Sequence, residues 1–204
     1  MQIVLLILIA VTGIISYLAW QKPEYLYKFQ FNAYQVRHRR QWYRLITHAF
    51  LHGGWTHLII NMLVLYSFGR NVLVIFAAVF PGKATAFFLL LYFSAIVFSS
   101  LYSLARHSND SSYNAIGASG AVSAVVFTSI FFQPWHLLYF FGIIPIPGIV
   151  FGGLYLAYSW YMSKRNTDMI GHDAHFWGAV YGFAFPVMLE PGLIRLFIDQ
   201  LMRI

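Results

Sequence analysis

Residues 84–103 read ATAFFLLLYFSAIVFSSLYS, an uncharged stretch that Lys83 closes on one side and Arg106 on the other. About 20 apolar residues in a row are what one helix needs to cross the hydrocarbon core of a bilayer, because at about 1.5 Å per residue they reach about 30 Å. Pro81-Gly82-Lys83 supplies the turn ahead of this run, and the polar loop 106–114 follows it. Working outward, apolar runs with polar punctuation recur at 3–20, 55–69, 117–132, 148–163 and 174–189. The expectation is an all-α membrane protein, with six transmembrane helices in a single domain covering 1–204. Composition agrees, since 60% of residues are hydrophobic and 9% are charged. A soluble domain carries about 25% charged residues, so this chain has too little polar surface to cover itself in water.

The segments between the runs are less regular. The stretch 21–54 is long, polar and basic, and its Trp42 and Tyr43 are residue types found at the head-group layer. Its Lys22, Lys28, Arg37, Arg39, Arg40 and Arg44 supply much of the net charge of +7. Basic residues placed between apolar runs point to anionic lipid head groups as partners and not to nucleic acid. Residues 72–80 read as a helix extension or an interfacial segment, with Arg70 and Asn71 marking the far interface. The apolar centre 137–144 lies among Pro134, Pro145 and Pro147, is too short to cross, and is expected along the surface. After Glu190-Pro191-Gly192 a short amphipathic tail carries Arg195 and Arg203. The first run has no charge before it and no small-residue cleavage site after it, so it reads as a spanning helix and not a removed signal.

Alternate helices of such a bundle enter the membrane from the same face, so the first turns of helices two, four and six lie at one depth. Those turns hold His57 and Asn61, then Gly117-Ala118-Ser119-Gly120, then His172, Asp173 and His175. Polar and titratable groups are costly inside a bilayer, and a cluster of them at one depth is a candidate site. There is no cysteine, so a nucleophile must come from another side chain. A serine hydroxyl needs a base, and an imidazole titrating near neutral pH is the usual one. Ser119 with His175 is the natural pair. Ser119 opens a helix between glycines, where amide dipoles favour developing negative charge, and its own N–H can serve as an oxyanion donor. The Asn61 amide, with His57 one turn earlier, can supply further donors. Asp173 lies two positions from His175 and points to another face, which favours a dyad over a triad. His48 and His52 resemble a metal pair in spacing, but no carboxylate lies near them and structural hydrogen bonding is the better reading. Arg44 reads as an anchor of the first loop to head groups or backbone carbonyls.

These residues give the chain a close resemblance to the rhomboid family of intramembrane serine proteases, in its bacterial, minimal six-helix form. The resemblance rests on Trp42-Tyr43-Arg44, His57-Leu58-Ile59-Ile60-Asn61, Gly117-Ala118-Ser119-Gly120, and Ala174-His175-Phe176-Trp177-Gly178 through Gly182, in this order over most of the chain. It implies Ser119 as nucleophile, His175 as general base, and His57 and Asn61 as oxyanion stabilisers. It also implies a short fourth helix dropping into a water-filled cavity, no metal or organic cofactor, and substrates that are transmembrane helices of other proteins. Gly178 and Gly182 form a GxxxG whose role is to let helix six approach helix four closely.

The implied location is the bacterial inner membrane, with the site opening to the extracytoplasmic side. Counting basic residues would place the loop 21–54 in the cytoplasm; the family puts it outside, and a long folded loop is where the charge rule is weakest. The chain departs from the pattern of some bacterial members at Ser123, four residues after the nucleophile, where they carry a tyrosine that stacks on the base. A substrate helix must also reach the dyad, and the Gly-rich helix five with the loop 164–172 is the expected lateral gate, held shut by Tyr155 and Trp160. Two other classes place polar groups within such a bundle or share its fold. A polytopic transporter usually shows inverted repeats, which are absent from the sequence. A non-catalytic rhomboid-like client-binding protein typically lacks the serine or the histidine, and both are present here.

Overall fold

The computed structural model describes residues 2–140, 143–165 and 171–202. Residues 166–170 of the expected gate loop and Arg203 of the expected tail lie outside them. Each apolar run of the sequence is a helix: α1 Gln2–Gln21 leads, and short helices α2 Pro23–Phe29, α3 Ala33–Arg39 and α4 Arg44–Thr47 fold the first loop. The bundle continues through α5 Trp55–Val79, α6 Ala84–Arg106, α7 Ser119–Phe132, α8 Gly148–Arg165 and α9 His172–Leu189, and α10 Leu193–Leu201 follows. By length and composition, α1, α5 and α6 are each long and apolar enough to cross a membrane.

The exposed surface is apolar where a soluble protein's would be polar. On α1, Thr12 and Ser16 are completely buried while Ile3, Leu6 and Ile7 are exposed. Lipid tails are as apolar as leucine, so such a bundle gains little by hiding its aliphatic side chains from the outside and is held instead by close packing. The packing centres on α7, every residue of which from Gly120 to Phe132 is buried. At 14 residues α7 is about 21 Å long, short of the roughly 30 Å hydrocarbon core. Enclosed by its neighbours, it satisfies its backbone internally and need not reach both surfaces.

Three of the long helices run parallel, as their contacts show. On α7 and α9, a Cβ built on Gly178 would meet the backbone of Gly120, and one on Gly182 would meet the backbone of Ala124. Both pairs advance by four residues in the same direction, so the helices are parallel and nearly touching. Thr128 Oγ1 adds a bond to the Gly182 carbonyl at 2.7 Å. Bonds of this kind average about 0.6 kcal/mol in a membrane bundle, so backbone packing carries most of the contact. On α5 and α7, the His57 ring lies beside Gly117, and the Asn71 amide donates to Ser129 Oγ and Gln133 Oε1, both at 2.9 Å. That pair is parallel as well. Helix α6 runs the other way along α9, with Arg106 near Asp173 at 3.5 Å and Tyr181 Oη donating to Ser94 Oγ at 2.7 Å.

Three features depart most from the sequence reading. The second span, expected at 55–69, continues through Arg70 and Asn71 to Val79, so 72–80 is the helix extension; the Asn71 amide is satisfied by α7 rather than by an interface. The fourth helix begins at Ser119 and not at 117, because Gly117 has φ +117° and cannot join a right-handed helix. The segment expected along the surface is an antiparallel hairpin, β1 Leu137–Phe140 against β2 Ile144–Pro147, with Leu137 opposite Pro147 and Phe140 opposite Ile144. Proline lacks a ladder donor, and an isolated two-stranded hairpin has free edges on which it is tolerated.

The glycine contact makes a direct prediction. Gly182→Ala and Gly178→Ala should each destabilise the detergent-solubilised protein by about 3 kcal/mol or more, the upper end of overpacking costs, because the opposing atoms are backbone and cannot rotate away. Gly13→Ala, where nothing lies within 4 Å of the added carbon, should cost nothing. Thermal unfolding of the three variants side by side checks this; a Gly182→Ala protein as stable as Gly13→Ala would contradict the packing account.

Candidate active site

The first loop builds the platform. Arg44, 4% exposed, donates through Nη1 to the carbonyls of Tyr27 at 2.9 Å and Gln30 at 2.7 Å, and through Nε to Gln41 Oε1 at 2.6 Å. Of the two anchors that the sequence allows, head groups or backbone carbonyls, these bonds are the second. Asn32 caps α3 through the Gln35 N–H and reaches the carbonyls of Ser111 and Tyr113, and Phe31 bridges to Ala115. The loop 21–54 is thereby fastened to the strand of chain that leads into α7. His48 completes the join: its carbonyl accepts from the Gly117 N–H at 3.0 Å, and its Nε2 is 3.1 Å from Ser100 Oγ on α6.

His52 is tied to α1, with Nδ1 2.9 Å from Ser16 Oγ and its carbonyl accepting from Trp20 Nε1 at 2.6 Å. Its ring meets that of His57 edge to face, with centroids 4.9 Å apart. His48 and His52 are thus structural hydrogen-bonding residues, and among the described residues no group of His, Asp and Glu is placed to hold a metal ion. Burial pushes the His48 imidazole down to about 4 and His52 down to about 3, the latter helped by the neighbouring His57.

His57 and Asn61 stand on the first two turns of α5, His57 half-buried and Asn61 buried. The Asn61 amide donates to the His57 carbonyl at 2.9 Å, which leaves its second N–H for another acceptor. The His57 ring explains why position 117 must be glycine twice over. Besides the positive φ, a Cβ there would lie 2.9 Å from His57 Nε2 and 3.8 Å from Ser119 Oγ. His57 Nε2 and Ser119 Oγ therefore converge on one small volume.

Ser119 is the first residue of α7 and is half-buried. His175, also half-buried, stands in the first turn of α9. A Cβ on Gly120 would lie 3.3 Å from the Ala174 carbonyl oxygen and would collide with Ser99 of α6. Ser119 and His175 immediately flank this Gly120–Ala174 contact, so the glycines at 120, 178 and 182 bring the two residues to one end of two parallel helices. Asp173 turns away toward Arg106, as its position two residues earlier requires. A narrow cavity of about 30 Å³ opens beside Ser119, lined by Ser99, Ser100, Ser103 and His48 among others. Its lining is mostly apolar with hydroxyls set into it, and it is large enough for water.

One neighbour of the histidine went unread in the sequence. The Tyr155 ring of α8 lies nearly parallel to that of His175, 20° between planes and 6.3 Å between centroids. Its hydroxyl is 2.7 Å from Ser123 Oγ. An aromatic on a Gly-rich helix was visible at 155, but nothing local showed which way it would face. Trp160, its companion in the expected gate, packs on Phe176 with centroids 5.3 Å apart.

Residues 39–191 match the Rhomboid domain family model. The chain belongs to the rhomboid family, and with its apolar helices it is an integral membrane protein. It is similar to RHOMBOID-like protein 12, mitochondrial, of Arabidopsis thaliana, with 27% identity over an alignment of 166 residues that covers 74% of this chain and 47% of that protein. The chain thus spans about half the length of that relative.

The two buried imidazoles make stability depend on pH with a definite sign. Their folded-state values lie below the ordinary histidine value of about 6.5, so between there and about 4 the unfolded chain binds more protons than the folded one. Stability should be full above about pH 6.5 and fall as the pH is lowered toward 4. Unfolding midpoints in detergent across this range should show the loss, and His48→Asn should flatten the slope. An unchanged slope in that variant would remove His48 from the explanation.

Proposed function

We propose that the chain is an intramembrane serine protease that hydrolyses peptide bonds in or near transmembrane segments of other membrane proteins. In this reading all six long helices, α1 and α5 to α9, cross the bilayer or are enclosed within it. Ser119 attacks the scissile carbonyl, His175 takes the hydroxyl proton and later gives it to the leaving amine, and water then releases the acyl group from Ser119. The Ser119 N–H, the Asn61 amide and His57 stabilise the oxyanion. The observation that carries the proposal is the flanking of the Gly120–Ala174 contact by Ser119 and His175, at the end of α7 where His57 also converges. Membership of the rhomboid family supports it. No cofactor is needed for this chemistry.

We place the protein in the bacterial inner membrane with the site facing the extracytoplasmic side, following the family pattern of the folded first loop. A reporter fused after Leu201 and one inserted in the loop 107–118 should fall on opposite sides; reporters on the same side would overturn that topology.

Ser119→Ala and His175→Ala should each abolish cleavage of a generic transmembrane substrate by the purified protein while leaving it folded in the membrane. A serine-directed fluorophosphonate should label the unaltered protein at Ser119 and neither variant. Labelling elsewhere, or full activity in either variant, would sink the dyad. Asn61→Ala should lower turnover by about 10²-fold or more with little effect on substrate binding, since its amide acts on the transition-state oxyanion. A change confined to KM would contradict that role.

A further inference from the structure

The base of a Ser-His pair works only if its ring is held in one plane, because a proton must pass along a directed hydrogen bond. The contacts around α8 show what faces that ring. Tyr155 sits with its ring against Phe127 of α7, 5.7 Å between centroids, and Phe151 of its own helix, 5.9 Å away. Its third aromatic neighbour is His175, in a near-parallel, offset arrangement at a separation where aromatic pairs attract. Its hydroxyl meets Ser123 Oγ at 2.7 Å, and Ser123 is buried, 6% exposed, on the nucleophile's own helix. Position 123 stands one helical turn below Ser119. A hydroxyl there, with a tyrosine reaching it from α8, ties together the helix of the nucleophile, the helix of the base and the helix between them and lipid.

We propose that Tyr155, pinned through its hydroxyl to Ser123, is a positioning residue that fixes the plane of the His175 imidazole; this rests on reading Ser119 and His175 as the reacting pair. This role reverses the expectation for one of the two gate aromatics. If Tyr155 only blocked the way between helices, trimming it would admit substrates faster. As the support of the base, it must stay for the chemistry to run.

The test uses the full-length protein in detergent, with Tyr155→Leu, Tyr155→Phe, Ser123→Ala and the Tyr155→Phe/Ser123→Ala pair. Two readouts are followed. One is the ring-proton resonance of His175, assigned by its disappearance in His175→Ala; the other is kinetics, both cleavage of a transmembrane substrate and fluorophosphonate labelling of Ser119. Loss of the ring in Tyr155→Leu should shift the His175 resonance by removing its ring current. It should also lower kcat roughly tenfold or more, with KM little changed and labelling slowed in parallel. Tyr155→Phe and Ser123→Ala should each cost a few-fold in kcat, and the pair no more than either alone, because both break one hydrogen bond.

Three results would overturn the proposal. The first is a His175 resonance unmoved in Tyr155→Leu. The second is wild-type kcat in both Tyr155→Phe and Ser123→Ala, which decides the matter even if the leucine variant does not fold. The third is faster cleavage of helix substrates by Tyr155→Leu with labelling unchanged, which would make Tyr155 a gate residue only. If the unaltered protein neither labels nor cleaves, the protease reading fails, while the resonance still decides whether Tyr155 faces His175.

Discussion

The approach of α9 to α7 is the contact on which the site depends. Gly178 and Gly182 leave no room for a Cβ against the backbone of Gly120 and Ala124, and the four-residue repeat on both helices sets them parallel. In a membrane there is no hydrophobic force to push two helices together, so surfaces that allow backbone contact decide which helices pair. Because the glycines are spaced at one turn, they fix the register as well as the distance. That register leaves Ser119 and His175 beside the uppermost contact. A shift of one turn would carry the histidine about 5.4 Å along the axis and out of reach of the serine.

If Ser119 and His175 react as proposed, they face a problem of solvent. Hydrolysis needs water and polar groups, and both are unfavourable at depth in a bilayer. Helix α7 is short and fully enclosed, so its first residue meets neighbouring helices rather than lipid. The loop 21–54, tied down by Arg44 and Asn32, roofs that end of the bundle and delivers the His48 carbonyl to the Gly117 N–H. Ser99, Ser100 and Ser103 bring hydroxyls from α6 to the same place. Each polar group close to the site thus belongs to an element whose own polar contacts hold it in position.

Much of this was legible in the sequence because it is carried by local patterns. Apolar runs near 20 residues give the helices, GxxxG gives the close contact, and glycines around a serine give a helix start with room beside it. Arg44 reads as an anchor to head groups or to backbone carbonyls, and it donates to the carbonyls of Tyr27 and Gln30. Other features depend on partners distant in the chain. Arg70-Asn71 looked like a helix end, yet Asn71 is satisfied by Ser129 and Gln133, so α5 continues through it. The proline-rich segment 134–147 has neither helical nor strict alternating periodicity, and its hairpin follows from pairing of β1 with β2. Ser123 looked like a missing support for the base. Its partner Tyr155 is 32 residues away, and only the packing of α8 shows that the Tyr155 ring faces His175.

The central claim is that the glycine register holds positions 119 and 175 within reach of each other in the membrane. The chain has no cysteine, so Ser119→Cys with His175→Cys gives one defined thiol pair in an otherwise silent background. A short bifunctional thiol reagent added to native membranes should bridge the two within one molecule, and adding Gly182→Val should abolish the bridge. No bridge in the first protein, or an equal yield in the second, would contradict the account.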